Sequence, residues 1–390
     1  MSFMYYVYIF FILICIVSIE MSVNDAKMNM NINDKRLTTE FKGITFSTFK
    51  KSKVIDELIQ CLINSKIEPA CYWCSELICA GHFGDVWDII ILYVSKYIHL
   101  GNPKLPIYIA KRIEQFKTIV TNGYLEDELS MRNHPQIRNL FAEIIAILCL
   151  SRKKHPFEPM KIKKEEEFNM SFMSSRLKAP SVDFATSLFR KDDPKELFIA
   201  INEFAYHISR KSKNAMSACY WLEWIIEYET ICKSKKETCS CETREFAPVG
   251  DKFKKDPIWI VWDAILSECK ERKDLITTKI MDALLSIFCI KFTSGVKRRR
   301  RFIVYFAISL LADPVDFTIE MLTLPQKKQV EKVVEKIHIV YRDVKKNEII
   351  PEEEIIMNTD GMTVVKQERT NLDKTIERLE KMNQIMNGKM

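Results

Sequence analysis

Apolar residues recur at helical spacing through two long stretches of this chain of 390 residues. The first stretch runs from about residue 47 to 151, and the second from about 194 to 347. Val54, Leu58 and Leu62 illustrate the spacing, which places apolar side chains on one face of a helix. Turn-forming pairs such as Asn102-Pro103 and Asn122-Gly123 fall where such helices should end. The pattern predicts an all-α fold.

Glycine is scarce, with 9 Gly in the whole chain. Average usage would supply about three times as many, so folds that cradle phosphates in glycine-rich loops, such as doubly wound nucleotide-binding domains, are disfavoured. The sequence contains neither G-x-x-x-x-G-K-[ST] nor G-x-S-x-G nor H-E-x-x-H. We therefore predict a protein that is not an enzyme, with no catalytic residues and no cofactor. The alternative is an enzyme with an unrecognised helical active site.

Two parts of the chain share landmarks in the same order. Ala70-Cys71-Tyr72-Trp73 matches Ala218-Cys219-Tyr220-Trp221, and a Trp-Asp pair follows each of them, at Trp87-Asp88 and at Trp262-Asp263. The order predicts two related multi-helix units that arose by internal duplication, with chance similarity as the alternative. The second copy is longer between its landmarks. The additional residues, 232–257, are rich in Lys, Glu, Thr and Cys and are expected to loop out from the packed unit.

Composition predicts further divisions of the chain. Prolines and charges across 152–195 predict a charged linker between helical unit 1, residues 46–151, and helical unit 2, residues 196–347. The polar stretch 21–45 is predicted to be a disordered lead-in. Residues 348–390 are predicted to form a tail whose last helix could pack on a partner or support an oligomer. The stripe of that helix consists of Leu372, Ile376, Leu379, Met382 and Met386.

Residues 1–20 form an apolar N-terminal segment in which the run from Phe3 to Ile19 is almost uninterrupted. About seventeen residues reach roughly 25 Å as a helix, the lower edge of a membrane span. Three interpretations stay open: a membrane anchor, a cleaved signal, and an extension that a working protein beginning near Met21 would lack. The cysteines lie mostly inside apolar runs, which is typical of buried thiols in a reducing, cytosolic setting.

One dense basic cluster stands directly before an apolar run that begins at Phe302. Clustered cations indicate contact with phosphates or with an acidic protein more strongly than diffuse charge does. A plain solvated helix start is the alternative. The predicted contact residues for nucleic acid or an acidic partner are Lys297, Arg298, Arg299, Arg300 and Arg301.

Two weaker candidate sites remain. The least regular loop of the first unit could be a recognition loop or a tight connection between helices, and its candidate residues are His99, Asn102 and Lys104. Three thiols of the inserted segment have the chemistry of zinc ligands but no fourth ligand close in sequence, so no metal site is predicted. These thiols belong to Cys232, Cys239 and Cys241.

Four stretches carry a resemblance to a known family: Ala70 to Trp73, His99 to Pro106, Asp193 to Leu197, and Ala218 to Trp221. Across roughly residues 46 to 350, the chain resembles an uncharacterised protein family of large nucleocytoplasmic DNA viruses that infect algae and protists. The resemblance implies a viral protein of the host cytoplasm, the viral factory or the virion, and it implies no catalytic residue. Residues Lys66 to Trp73 are also similar to the oligomerisation collar of clamp-loader ATPases, which implies a role in assembly.

These observations lead to one functional expectation. We expect a non-catalytic helical interaction or scaffold protein, associated with nucleic acid or with a replication or transcription complex, whose partners are viral or host proteins. The alternative is a virion structural or membrane-anchored protein. Membrane association is expected only if Phe3 to Ile19 are retained.

Overall fold

The computed structural model describes residues 30–123, 127–154 and 158–349, together with 375, 376 and 379. Within these residues every regular element is helical, and the only β pairing is an isolated antiparallel bridge between Ile44 and Lys50. The predicted all-α class is therefore confirmed. Over the same ranges no helix is both long and apolar enough to cross a membrane. The run from Phe3 to Ile19 and most of the predicted last helix lie outside the described residues.

The α-helices in chain order are α1 (Lys51–Ile63), α2 (Ile67–Cys79), α3 (Phe83–Tyr93), α4 (Leu105–Thr121), α5 (Glu128–Asn133), α6 (Pro135–Leu150), α7 (Lys164–Glu167), α8 (Met170–Arg176), α9 (Asp183–Thr186), α10 (Phe198–Ile208), α11 (Ala215–Ser234), α12 (Ile258–Arg272), α13 (Leu275–Cys289), α14 (Val296–Arg299), α15 (Arg301–Ala312) and α16 (Leu324–Lys345). A π-helical turn at Val94–Ile98 is followed by a 3-10 turn at His99–Gly101, and further 3-10 turns lie at Lys195–Leu197 and Asp251–Phe253.

Contacts divide the chain into two compact units that are not continuous in sequence. Among the described residues, the first unit draws on 30–89, 115–123, 127–150 and 322–349, and the second on 90–114, 151–154 and 158–321. This division differs from the predicted one, because α16 packs on α2 and α6 of the first unit. Val330, Ile337 and Tyr341 supply the buried face of α16. An amphipathic helix packs wherever its apolar face is covered, whatever its place in the sequence.

Helix α2 is the central helix of the first unit. All of its residues except Glu68 are buried, and it packs against α1, α6 and α16. Its one fully buried acid, Glu76, is satisfied there by hydrogen bonds from the Thr45 and Ser47 hydroxyls. Burial raises the pKa of the Cys71 thiol to about 12, so this thiol is protonated at neutral pH and serves as a small core side chain.

The segment 30–45 is packed, so the predicted disordered lead-in is wrong for these residues. Ile32 and Phe41 are buried. The guanidinium of Arg132 donates to the backbone oxygens of Asp34 at 3.0 Å and of Arg36 at 2.8 Å. The polar composition of the segment suggested disorder. Two buried apolar side chains and the hydrogen bonds of a buried arginine nevertheless fix the segment to the first unit.

Helix α15 is the central helix of the second unit. Its residues from Phe302 to Ala312 are all buried, and it contacts α10, α11, α12 and α13. Helix α11 begins at Asn214, whose side chain accepts a hydrogen bond from the Ser217 amide at 3.0 Å, the usual N-cap contact. Within 152–195 the structure forms the short helices α7, α8 and α9, and this segment belongs to the second unit.

Candidate functional site

The first cation of the basic cluster, Lys297, is buried, with 3% of its surface exposed. Its ammonium group donates to Asp256 Oδ1 at 2.7 Å and Oδ2 at 2.8 Å, and also to the Glu229 carboxylate. Both acids are themselves buried. A buried cation between two carboxylates is neutralised by its own chain. Lys297 therefore cannot contact an external phosphate in this structure.

Arg300 is also buried, at the turn between α14 and α15. Its Nη1 atom donates to the backbone oxygen of Phe288 at 2.9 Å and to that of Ile290. These oxygens end helix α13, where the helix dipole favours a positive charge. Arg300 is therefore a C-terminal cap for α13.

Arg301 completes a second buried polar contact. Its Nη1 atom donates to Glu223 Oε2 at 2.9 Å, and the Tyr305 hydroxyl donates to Glu223 Oε1 at 2.8 Å. Burial raises the pKa of the Glu223 carboxyl, against the opposing charge of Arg301. The two hydrogen bonds join α11 to α15 inside the second unit.

Only Arg298 and Arg299 of the predicted contact residues are exposed. Arg298 Nη2 lies 2.9 Å from Glu227 Oε2 in a surface ion pair, which contributes little because water screens it. The cluster is therefore not one continuous basic patch. The chain turns through 296–301, so some cations of the cluster face the core and others face water. The linear sequence does not show which cations face which way.

Within the inserted segment 232–257, residues 233–238 are exposed, but the segment returns to the second unit at the buried residues Cys241, Arg244 and Ala247. The expectation that it loops out is therefore wrong for the part around these three residues. Arg244 lies inside it with none of its surface exposed. Its guanidinium donates to both Asp193 oxygens, at 3.1 and 2.6 Å, and to Asp263 Oδ2 at 3.0 Å. The remaining donors reach the backbone oxygens of Glu242 and Leu188. All five N–H donors of a guanidinium are thus used.

The three thiols of this segment are placed apart from any group of possible metal ligands. In the part of the chain that the structure describes, no group of three or more His, Cys, Asp or Glu side chains could hold a metal ion. Cys241 Sγ instead donates to the Asp256 backbone oxygen at 3.3 Å. Burial raises the pKa of both Cys239 and Cys241 to about 12, which disfavours the thiolate that zinc needs. Cys232 is buried near the end of α11.

The predicted recognition loop is a packed connection. His99 and Asn102 are buried, and Lys104 is half-buried. The His99 ring stacks on Phe306 with ring centres 4.7 Å apart. Burial lowers its pKa to about 3, so the imidazole is neutral at physiological pH. The Asn102 amide donates to the Met321 backbone oxygen at 3.1 Å. The prediction of a recognition loop is therefore wrong for His99 and Asn102, because their side chains face the core.

Helix α11 carries an aromatic face that was not predicted from the sequence and that consists of Tyr220, Trp224 and Tyr228. The spacing of four residues places the three rings on one side of the helix, and the Trp224 and Tyr228 rings are stacked with centres 5.6 Å apart. Residues 163–176, the cover segment, lie across this face. The Phe168 ring of the cover segment stacks on Trp224 at 4.7 Å.

Glu167 holds the cover segment at its centre. Its carboxylate accepts a hydrogen bond from the Tyr220 hydroxyl and another from Arg176 Nη2 at 2.9 Å. Its backbone oxygen accepts from Trp224 Nε1 at 3.1 Å. Burial and the Glu167 carboxylate raise the pKa of Tyr220. The signal was present in the sequence as the Tyr-Trp-Tyr spacing, but a segment read as a linker gave no reason to pair it with α11.

A groove of about 360 Å³ opens in the second unit between α9, the end of α10, and α12. Leu188, Ile208 and Ala264 form an apolar floor. Its rim carries both signs of charge, from Arg210 and Lys211 and from the acids Asp183, Glu268 and Glu271. Since the charges are mixed, the groove selects no single class of charged ligand.

Comparisons with known proteins add no relative. No protein-family model matches the chain, and neither the curated proteins nor the solved structures include a match.

Proposed function

We propose that this chain is a non-catalytic helical interaction or scaffold protein of a multi-protein complex. The proposal is supported by one observation: buried cations of the chain hold its irregular segments in fixed positions. Arg132, Arg244 and Lys297 each bind an irregular segment to a helix through hydrogen bonds inside the chain. Segments held in this way lose little freedom when a partner binds, so association costs less conformational entropy.

The test is isolation of the tagged full chain from producing cells, with cross-linking and mass spectrometry. We expect one or more proteins at fixed stoichiometry, cross-linked to exposed lysines of the chain. A chain that is recovered alone, with no reproducible cross-link to another protein, would overturn the proposal.

Internal duplication is a further part of this proposal, supported by local geometry. Ser65 and Lys213 both adopt left-handed backbone angles, φ 56 and 49, directly before the cap residues of α2 and α11. In both helices a Tyr ring meets the next Trp ring edge to face. The ring centres are 5.2 Å apart for Tyr72 and Trp73, and 5.1 Å apart for Tyr220 and Trp221.

The second landmark is similar in the two copies. The ring centres of Trp87 in α3 and Phe116 in α4 are 5.7 Å apart. Those of Trp262 in α12 and Phe288 in α13 are 5.4 Å apart. In each case the tryptophan meets a phenylalanine of the next helix. Two copies of one helical unit would give a scaffold two related surfaces.

Association with nucleic acid is a narrower form of the proposal, supported by the exposed Arg298 and Arg299. Two cations release few counterions, so the logarithm of affinity should fall with the logarithm of salt concentration with a slope of about 2. Changing both residues to Glu should abolish this dependence. The absence of salt-dependent binding to DNA or RNA by the unmodified chain would remove nucleic acid from the proposal. A viral setting is proposed from the sequence resemblance alone.

A virion structural or membrane-anchored protein is the second candidate, supported by the apolar run from Phe3 to Ile19. Fractionation of producing cells tests it. A product that begins at Met1, pellets with membranes and resists carbonate extraction is expected of an anchor. A mature mass beginning near Met21 in the soluble fraction would contradict it.

A further inference from the structure

We propose that the aromatic face of α11 is a docking site for a partner segment in which a carboxylate residue directly precedes an aromatic residue. The cover segment of this chain occupies the site as an internal substitute. This inference rests on the proposed interaction function and names the surface and the chemistry of its partner.

The cover segment is attached to the second unit by few side chains. Among the described side chains of 158–184, only Glu167 is buried. Further along, a second attachment comes from α10, where the Glu203 carboxylate accepts from the Lys178 and Ala179 amides at 2.9 and 3.0 Å. A segment that buries one side chain gains little from the hydrophobic effect. Its displacement is therefore inexpensive compared with that of a core helix.

The face beneath the cover segment has the composition of an interface centre. Tyr220 and Trp224 each present a polar hydrogen, from a hydroxyl and an indole N–H, beside a large ring. Tyrosine and tryptophan are the residues most enriched where binding energy concentrates. Uncovered, this face would expose two donors and two stacked rings, which a partner must match to bind well.

The residues of the cover segment that contact the aromatic face show which chemical groups bind there. Glu167 supplies the carboxylate for the Tyr220 hydroxyl and a backbone oxygen for Trp224 Nε1. The next residue, Phe168, supplies a ring that stacks on Trp224. A carboxylate followed at once by an aromatic ring is thus the chemistry that the face accepts in this structure.

The face also extends beyond the cover segment. Met216 lies one turn before Tyr220 on the same side of α11 and is 52% exposed. Phe172 of the cover segment is 47% exposed. Large apolar side chains at the edge of an aromatic site give a partner a first point of contact before the cover segment leaves.

A labelled peptide with the sequence of residues 161–178 tests the proposal on the full chain. The receptor is the variant E167Q/F168A, whose cover segment has lost both anchors while α11 is unchanged. We expect this variant to bind the peptide at least about tenfold more tightly than the unmodified chain, where the tethered segment competes at an effective concentration on the order of millimolar. A peptide carrying the same two changes should lose at least about tenfold in affinity. Equal binding of both peptides, or none, would overturn the proposal.

Hydrogen exchange on the unmodified chain provides a test that needs no variant. With excess peptide, protection should fall in 163–176 and be kept in α11. Unchanged exchange in 163–176 at saturating peptide would contradict displacement. Dimers of the unmodified chain formed by exchange of the segment would assign the face to a second copy of this chain and would also overturn the proposal.

The variant Tyr220→Phe separates this inference from the proposed function. It removes the hydroxyl donor and keeps the ring. If complexes isolated from producing cells contain the same partners with Tyr220→Phe, and the peptide binds it as before, the docking site is wrong while the scaffold function stands. Loss of peptide binding together with one partner supports the docking site.

Discussion

Lys297 Nζ lies 2.7 Å from Asp256 Oδ1, and both side chains are buried in the second unit. Asp256 is near the end of the inserted segment, and Lys297 opens the basic cluster. The two features that the sequence singled out as candidate sites are therefore partners of each other. Their contact fixes the inserted segment to α14 and removes one cation from any external surface.

Replacement of Lys297 by Met should strongly destabilise the protein. It leaves the Asp256 carboxylate buried without its cation and Glu229 with Lys233 alone, and the loss of one partner of a buried pair costs about 3 to 5 kcal/mol. Chemical denaturation at neutral pH measures the loss. The matched control is Arg299→Met at an exposed position, expected within about 0.5 kcal/mol of the unmodified chain. Equal stability of the two variants would show that the buried ion pair has no net effect.

Replacement of Arg244 by Lys should loosen the inserted segment although the charge is kept. Lysine cannot reproduce five planar donors, so the oxygens of Asp193, Glu242 and Leu188 would lose partners at a cost of about 1 to 3 kcal/mol. Hydrogen exchange should accelerate across 238–248. Arg210→Lys is the control, because Arg210 is exposed and its Nη2 atom donates to the Arg272 backbone oxygen, outside the inserted segment. Unchanged hydrogen exchange across 238–248 in Arg244→Lys would show that the hydrogen bonds of Arg244 do not hold the inserted segment in place.

Acidification should destabilise the protein through His99. Its pKa is lowered to about 3 in the folded state, whereas an unfolded histidine titrates near 6.5. Between these values the unfolded state binds the additional proton, so stability is complete above pH 6.5 and falls as the pH decreases toward 3. The expected slope is about 1.4 kcal/mol per pH unit. The variant His99→Phe keeps a ring against Phe306 and should lack this slope, and parallel pH curves for the two proteins would refute the assignment.

Gly101 should tolerate no side chain. A Cβ atom there would lie 2.4 Å from the backbone oxygen of Arg152, so backbone would have to move. Gly101→Ala should therefore cost about 1 to 3 kcal/mol, as overpacking does. Gly84→Ala is the control, since a Cβ at this helical position meets nothing within 4 Å and alanine favours helix. The midpoint temperature of thermal unfolding should fall in Gly101→Ala and stay unchanged in Gly84→Ala.

Helical periodicity was sufficient to predict the class of the fold. It could not assign α16 to the first unit, because the apolar face of a helix does not specify which neighbour covers it. Composition misjudged 30–45, since the arginine that satisfies its backbone comes from α5, about one hundred residues later.

The site predictions depended on counting charges along the chain. Five successive cations look alike in sequence, but the path of 296–301 buries Lys297 and Arg300 and exposes Arg298 and Arg299. The acids that neutralise Lys297 stand 41 and 68 residues away. Pairing over such separations follows from tertiary structure and leaves no local pattern in the sequence.

The most direct measurement for the proposed function is the mass of the tagged chain purified from producing cells, determined by light scattering after nuclease treatment. The interaction function predicts a particle well above the 45.8 kDa of one chain, which contains a second protein at fixed stoichiometry. A loss of mass on nuclease treatment that leaves this second protein bound would support the narrower nucleic-acid form. A particle of 45.8 kDa without a second protein would contradict the interaction function.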